Sequence, residues 1–118
     1  VRNISFSLTT QQVRERRKTV TRRLGWHHVR PGDLLKPVEQ CMGLKRGQRI
    51  VAICAPIRVI GRRLEPLRDL LLPHNADECA REGFPALTPA QFIEFFCASH
   101  RHCTADTVVT RIEFEYTT

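Results

Sequence analysis

Arg16-Arg17-Lys18-Thr19-Val20-Thr21-Arg22-Arg23 sets one lysine and two threonines among four arginines. The fold around this stretch turns on the spacing of Lys18 and Thr21. On a helical turn, residues three apart share a face, whereas on a strand they point to opposite faces. If one site uses both side chains, the spacing predicts a turn here. The β-branched run Thr19-Val20-Thr21 is a weak helix former, so a helix arriving from the N-terminal side should loosen where the run begins.

On that side, Asn3 to Leu8 alternates, placing Ile4, Phe6 and Leu8 on one face, the period of a half-buried strand. Thr9 or Thr10 then caps a short helix running to about Lys18; it is polar apart from Val13, which predicts a surface helix with one anchor. On the other side, Gly25 permits a change of direction. Pro31-Gly32-Asp33 is turn chemistry, with the Asp33 carboxylate as a turn acceptor. Strands are expected at Leu34–Val38, at Ile50–Cys54 and from Ile57, bent near Pro56. Between the first two, Gly43 and Gly47 flank Lys45-Arg46 in a basic loop.

Leu67, Leu70 and Leu71 predict a short helix over Pro66–Leu72, ended by Pro73. Asp77–Glu82 predicts another, stopped by Gly83. Thr88-Pro89 pairs an N-cap with proline at the first helical position, and the Phe92, Ile93, Phe95, Phe96 stripe that follows reads as core. Val108 to Tyr116 alternates with Ile112, Phe114 and Tyr116 inward, giving a last strand. Without repeats, low-complexity tracts or a linker, residues 1–118 read as a single domain. Its class is α+β, strands and short helices on a partly closed barrel.

A formal net charge of +7 and a pI near 9.8 favour a polyanionic partner. No apolar run approaches the ~20 residues that span a bilayer, and Val1-Arg2-Asn3-Ile4 does not read as a secretory signal, so a cytoplasmic protein is expected. Five cysteines make an odd set without repeated spacing, which predicts reduced thiols. Cys97-x-x-His100-x-His102-Cys103 gathers metal-ligand residue types but lacks paired ligand spacing, and Gly43 and Gly47 do not form a phosphate loop; neither a metal nor a cofactor is expected.

Lys18-Thr19-Val20-Thr21 followed by Arg23, then Pro31-Gly32-Asp33, then Glu82-Gly83-Phe84, resembles in order and spacing the ASCH domain family, small PUA-like β-barrels linked to RNA and nucleosides. The similarity runs from Ser5-Phe6 to Ile112–Tyr116 and implies a small barrel with about three short surface helices. In members that hydrolyse acetylated cytidine, the resemblance implies a Lys, a Thr and a Glu acting together. Lys18 and Thr21 match by motif; Glu82 matches by its place before the Thr88-Pro89 helix, with Glu78 as the alternative register. Arg22 departs from the amidohydrolase pattern, where an apolar residue is expected, and its charge points toward nucleic acid.

The leading expectation is therefore an RNA- or nucleoside-binding domain whose basic cleft is walled by residues 16–23 and the helix carrying Glu82. Arg16, Arg17, Arg22 and Arg23 would contact the ligand. Trp26 would stack on a base unless it closes the barrel end as core, and His27 and His28 would meet phosphate or 2′-hydroxyl groups. An alternative is an amidohydrolase acting on acylated cytidine, with Lys18 as base, Thr21 as nucleophile and Glu82 as proton shuttle. There, Arg16, Arg17 and Arg22 would lower the lysine pKa. A further alternative is a ribonuclease using Lys18 or His27 and His28.

Overall fold

The computed structural model describes residues 1–118. Five strands, β1 (Arg2–Ser5), β2 (Val20–Arg23), β3 (Leu34–Val38), β4 (Ile57–Pro66) and β5 (Val108–Tyr116), pair in the order β1-β3-β4-β5-β2. The β1–β3 pair is parallel and the other pairs are antiparallel. Three α-helices, α1 (Thr10–Arg14), α2 (Glu78–Arg81) and α3 (Pro89–Ala98), and 3-10 turns at Leu67–Leu71 and Pro73–Asn75 complete the chain. The class is α+β. The ladder does not close into the expected barrel, because β1 and β2 are both edges. The edges are linked instead by a side chain, the Arg23 guanidinium donating to the Ser5 carbonyl.

The organising stretch is not a helical turn. α1 ends at Arg14, well short of Lys18, and Arg16 takes a left-handed φ of 62° that turns the chain out of the helix. The β-branched residues after it prefer extended backbone, and from Val20 they pair with β5. Thr9 sits at the N-cap position, but its hydroxyl makes no capping bond, while Thr10 Oγ1 donates to the Phe6 carbonyl. Val13, fully buried, is the helix anchor as expected.

The long β4–β5 ladder carries the sheet, with a bulge between Val59 and Gly61. One face of β5 supplies Ile112 and Phe114 to a core with Ile4, Phe6, Val13, Leu35, Ile57 and Val59. The other face meets the helices: Val109 joins a second core with Leu67, Leu70, Cys79, Phe92 and Phe96. Burial of each large apolar side chain contributes ~1.5–3 kcal/mol. α3 opens with the capping box read from Thr88-Pro89, in which Thr88 Oγ1 accepts from Gln91 N at 3.2 Å and the Gln91 side chain accepts from Thr88 N at 2.9 Å.

Three expectations fail locally. Ile50–Cys54 makes only an isolated bridge from Ala52 to Val38, leaving Ile50 and Val51 exposed, because a single bridged pair is too little to hold a strand. Leu8 lies beyond the end of β1 and is 63% exposed. Leu71 is exposed too, since the Leu67–Leu71 turn is 3-10 and its tighter winding presents only Leu67 and Leu70 to the core. Asp33 does serve as a turn acceptor, taking the Arg30 N–H at 2.9 Å.

Candidate active site

Where the two cores meet, a cavity of about 190 Å³ opens between the end of β1, β2 and the α2–α3 region. Phe6, Phe84, Phe92, Phe95 and Phe96 form its apolar side, and Lys18, Thr21, Arg22, Arg23 and Glu82 its polar side. The three residues named from the motif therefore share one cavity without a helical turn. Lys18 reaches it from the extended segment before β2, which is pinned on both sides. Thr19 N donates to Arg81 O at 2.8 Å, Phe114 N to Thr19 O at 3.0 Å, and the Tyr116 hydroxyl to Lys18 O at 2.6 Å.

Lys18 Nζ donates to Glu82 Oε1 at 2.8 Å and to the Glu82 backbone carbonyl at 2.6 Å, both groups buried. Burial pushes the ammonium's pKa down; Glu82 opposes the shift, and Arg23 and Arg22 assist it. A neutral amine keeps two N–H donors for these two acceptors and gains a lone pair. The contacts to Glu82 are thus compatible with a basic nitrogen. Glu82 follows α2, where Gly83 at φ 100° ends the helix, and its second oxygen accepts from Arg22 Nη1 at 3.0 Å.

The alternative carboxylate, Glu78, sits one helical turn away and has a different task. Arg22 and Arg111 are directly opposite across β2 and β5, a like-charge pair that is unfavourable alone. Glu78 resolves it: Oε1 accepts from Arg22 Nη2 and from Arg111 Nε at 2.6 Å, and Oε2 from Arg111 Nη2 at 3.1 Å. Burial alone would raise its pKa, but these guanidinium bonds outweigh it and hold the carboxyl at about 2. Glu65 Oε1 completes the shell of Arg22, accepting from Nη2 at 2.9 Å.

Arg22, read from the sequence as a nucleic-acid contact, is thus enclosed by Glu65, Glu78 and Glu82, with a side chain at 0% exposure. Its charge is spent inside the protein. Much of the surrounding basic cluster is similarly occupied. Arg14 pairs with Glu39 and Arg17 with Glu15. Arg16 lies over the Tyr116 ring at 5.5 Å, and neither Arg16 nor Arg17 lines the cavity.

Arg23 behaves differently. Burial lowers its pKa to about 10, so it is still a cation at neutral pH, and no carboxylate pairs with it. Its Nε donates to Thr21 Oγ1 at 3.1 Å, and its guanidinium lies 5.0 Å from the Phe6 ring centre. Trp26 is half-buried against the main core, with the Arg2 guanidinium 3.9 Å from its ring centre. It lies outside the cavity, as do His27 and His28, both exposed.

Two cavity residues escaped the sequence reading. Phe95, taken as core, is half-buried in the cavity wall beside Phe92 and Phe96. His100 lies stacked on Phe96 at 4.1 Å between ring centres, and its Nδ1 is 2.8 Å from the Phe96 carbonyl. The signal was available: His100 is four residues after Phe96, one helical turn on the same face. Cys97 and Cys103 approach to 3.6 Å as free thiols, so these two members of the Cys/His cluster face each other while His100 turns to the cavity. No protein-family model, curated protein or solved structure matches this chain.

Proposed function

We propose that the cavity binds the base of an acylated cytidine and hydrolyses its exocyclic amide, with Lys18, Thr21 and Glu82 as the reacting group. The observation that carries this reading is the convergence of these three side chains on one small, half-aromatic cavity. A cavity of about 150 Å³ holds benzene; the one here, at about 190 Å³, suits a single pyrimidine with a short acyl group. The phenylalanine side offers stacking surface, and Arg23 offers a cation for the acyl oxygen. The architecture is read as an open form of the ASCH family's PUA-like barrel, its two edge strands joined through Arg23 and not by a ladder.

In this scheme neutral Lys18 takes the Thr21 proton as Oγ1 attacks the acyl carbon. The donor bond from Arg23 Nε favours the developing alkoxide. At rest Lys18 donates both of its N–H groups to Glu82, so the step requires its free lone pair to reach the Thr21 hydroxyl. Collapse of the tetrahedral intermediate breaks the C–N bond. The proton returns from Lys18 by way of Glu82 to the leaving amine, and cytidine departs. Water, deprotonated in turn by Lys18, hydrolyses the threonyl ester, releasing acetate and restoring Thr21.

The test is incubation with acetylcytidine. Lys18→Ala, Thr21→Ala and Glu82→Ala should each lose most of the turnover, and the triple variant should be little worse than the worst single one. Turnover surviving Thr21→Ala but not Lys18→Ala would point to lysine-activated water. A second reading, RNA binding without chemistry, is supported by the net charge of +7. It gains if the wild-type protein releases no cytidine yet binds RNA in a salt-sensitive way. The ribonuclease reading has less support, because His27 and His28 lie away from Lys18's cavity.

A further inference from the structure

The charge that could hold a polyanion is not where the cavity is. Residues 40–64 contain Lys45, Arg46, Arg49, Arg58, Arg62 and Arg63 and no acidic residue. Of these, Arg58 pairs with Glu115 and Arg63 with Glu65. Lys45, Arg46 and Arg49 are all exposed and fall within five residues, and their side chains have no ion-pair or hydrogen-bond partner. Like charges this close repel one another, and Glu39, which lines a concavity with Arg49, is already paired with Arg14.

The loop that carries them is nonetheless built. Its base is tied by Glu39 N to Val51 O and Ile53 N to Pro37 O, both 2.9 Å. Its tip is a turn closed by Gln48 N to Lys45 O at 3.0 Å, with Gly47 at φ 87° in the position that needs a left-handed residue. The Gln48 side chain accepts from Lys45 N and fastens the tip again. Lys45 and Arg46 are therefore presented from a defined turn.

The loop also adjoins the cavity. Ser7 lines the cavity on one side and, on the other, a second concavity whose wall includes Thr10, Gln48, Arg49 and Glu39, the last paired with Arg14. A nucleotide held by its base in the first would direct its backbone across Ser7 toward Arg49. We infer that Lys45, Arg46 and Arg49 form a phosphate-binding surface for single-stranded RNA, so that the cavity receives a base from within a strand. This inference rests on the nucleoside reading of the cavity for the base and on the loop alone for the phosphates.

The experiment is a salt titration of a labelled single-stranded RNA of about ten nucleotides, with the wild-type chain and with Lys45→Gln/Arg46→Gln/Arg49→Gln. Each phosphate contact on a single strand contributes about 0.7 to the slope of log affinity against log salt. The triple variant should therefore lose about 2 from the slope and each single variant about 0.7. The side chains are exposed and unpartnered, so the thermal midpoint should be no lower than that of the wild type, and turnover of free acetylcytidine should be unchanged. For acetylcytidine placed within the RNA, kcat/KM should fall with the RNA affinity. Equal slopes for variant and wild type would overturn the inference whatever the cavity does. Loop-dependent binding to anionic phospholipid vesicles with an unchanged RNA slope would also overturn it, assigning the charges to a membrane surface. A wild-type protein that turns over neither substrate but binds RNA through the loop would end the hydrolytic reading and leave the phosphate surface standing.

Discussion

Arg22 shows most sharply how a residue's surroundings set its role. In the sequence it is one arginine among several; in the fold it is the hub that lets three carboxylates lie buried together. Arg22→Met should destabilise the protein by ~3–5 kcal/mol at neutral pH, since the carboxylates would lose their shared partner. Urea denaturation would measure this, and the penalty should shrink at low pH as the carboxyls protonate. Glu78 gives the wild-type acid limb. Its pKa, about 2 against an ordinary 4.5, contributes stability that is present above 4.5 and fades as pH falls toward 2. The single tyrosine gives the alkaline limb: burial chiefly, with Cys54 assisting and Arg16 opposing, pushes Tyr116 up to about 12 from an ordinary 10. Phenolate absorbance of the folded protein should therefore rise with a midpoint near 12, and that part of stability should be lost as pH climbs from 10 to 12. A midpoint near 10 in folded protein would mean that the phenol is not buried as described.

Among the elements, those with a strong local signal were legible. β5 followed from alternation, α3 from Thr88-Pro89, and the end of α2 from Gly83. The segment before β2 was not, because the choice between turn and strand depended on partners far away in sequence, Arg81 and Phe114, that hold Thr19 extended. Ile50–Cys54 had strand composition but pairs with β3 only at its last residue, Val38. For the site, motif order picked out Lys18, Thr21 and Glu82. What a sequence does not show is which arginines meet carboxylates: Arg17 and Arg22 do, whereas Arg23 lines the cavity without one. Gly83 tests the element that places Glu82. A Cβ there would lie 3.0 Å from Gln12 Cγ, at a φ of 100° that other residues rarely adopt. Gly83→Ala should cost ~1–3 kcal/mol in thermal or urea unfolding. It should also reduce turnover beyond any loss of folded protein, since Glu82 would shift against Lys18.

Over the whole molecule, two cores leave a cavity at their junction, and a buried ion network sets its polar side. Three unpaired cations, Lys45, Arg46 and Arg49, lie on the loop beyond Ser7. On the proposed reading, chemistry and polyanion binding are separable: cavity substitutions should affect turnover, and loop substitutions should affect salt dependence. Because burial lowers the Lys18 pKa, turnover should rise with pH along a limb that lies below the ordinary lysine value of 10.5, and Lys18→Ala should abolish that limb. The most direct measurement is the intact mass of the protein, acid-quenched within the first turnovers with acetylcytidine and followed by peptide mapping. A mass increase of one acetyl group located on Thr21, absent in Thr21→Ala and in Lys18→Ala, is the predicted result. Cytidine release with the Thr21 peptide unmodified at every quench time, or an acetyl group carried elsewhere, would contradict a threonine nucleophile activated by Lys18.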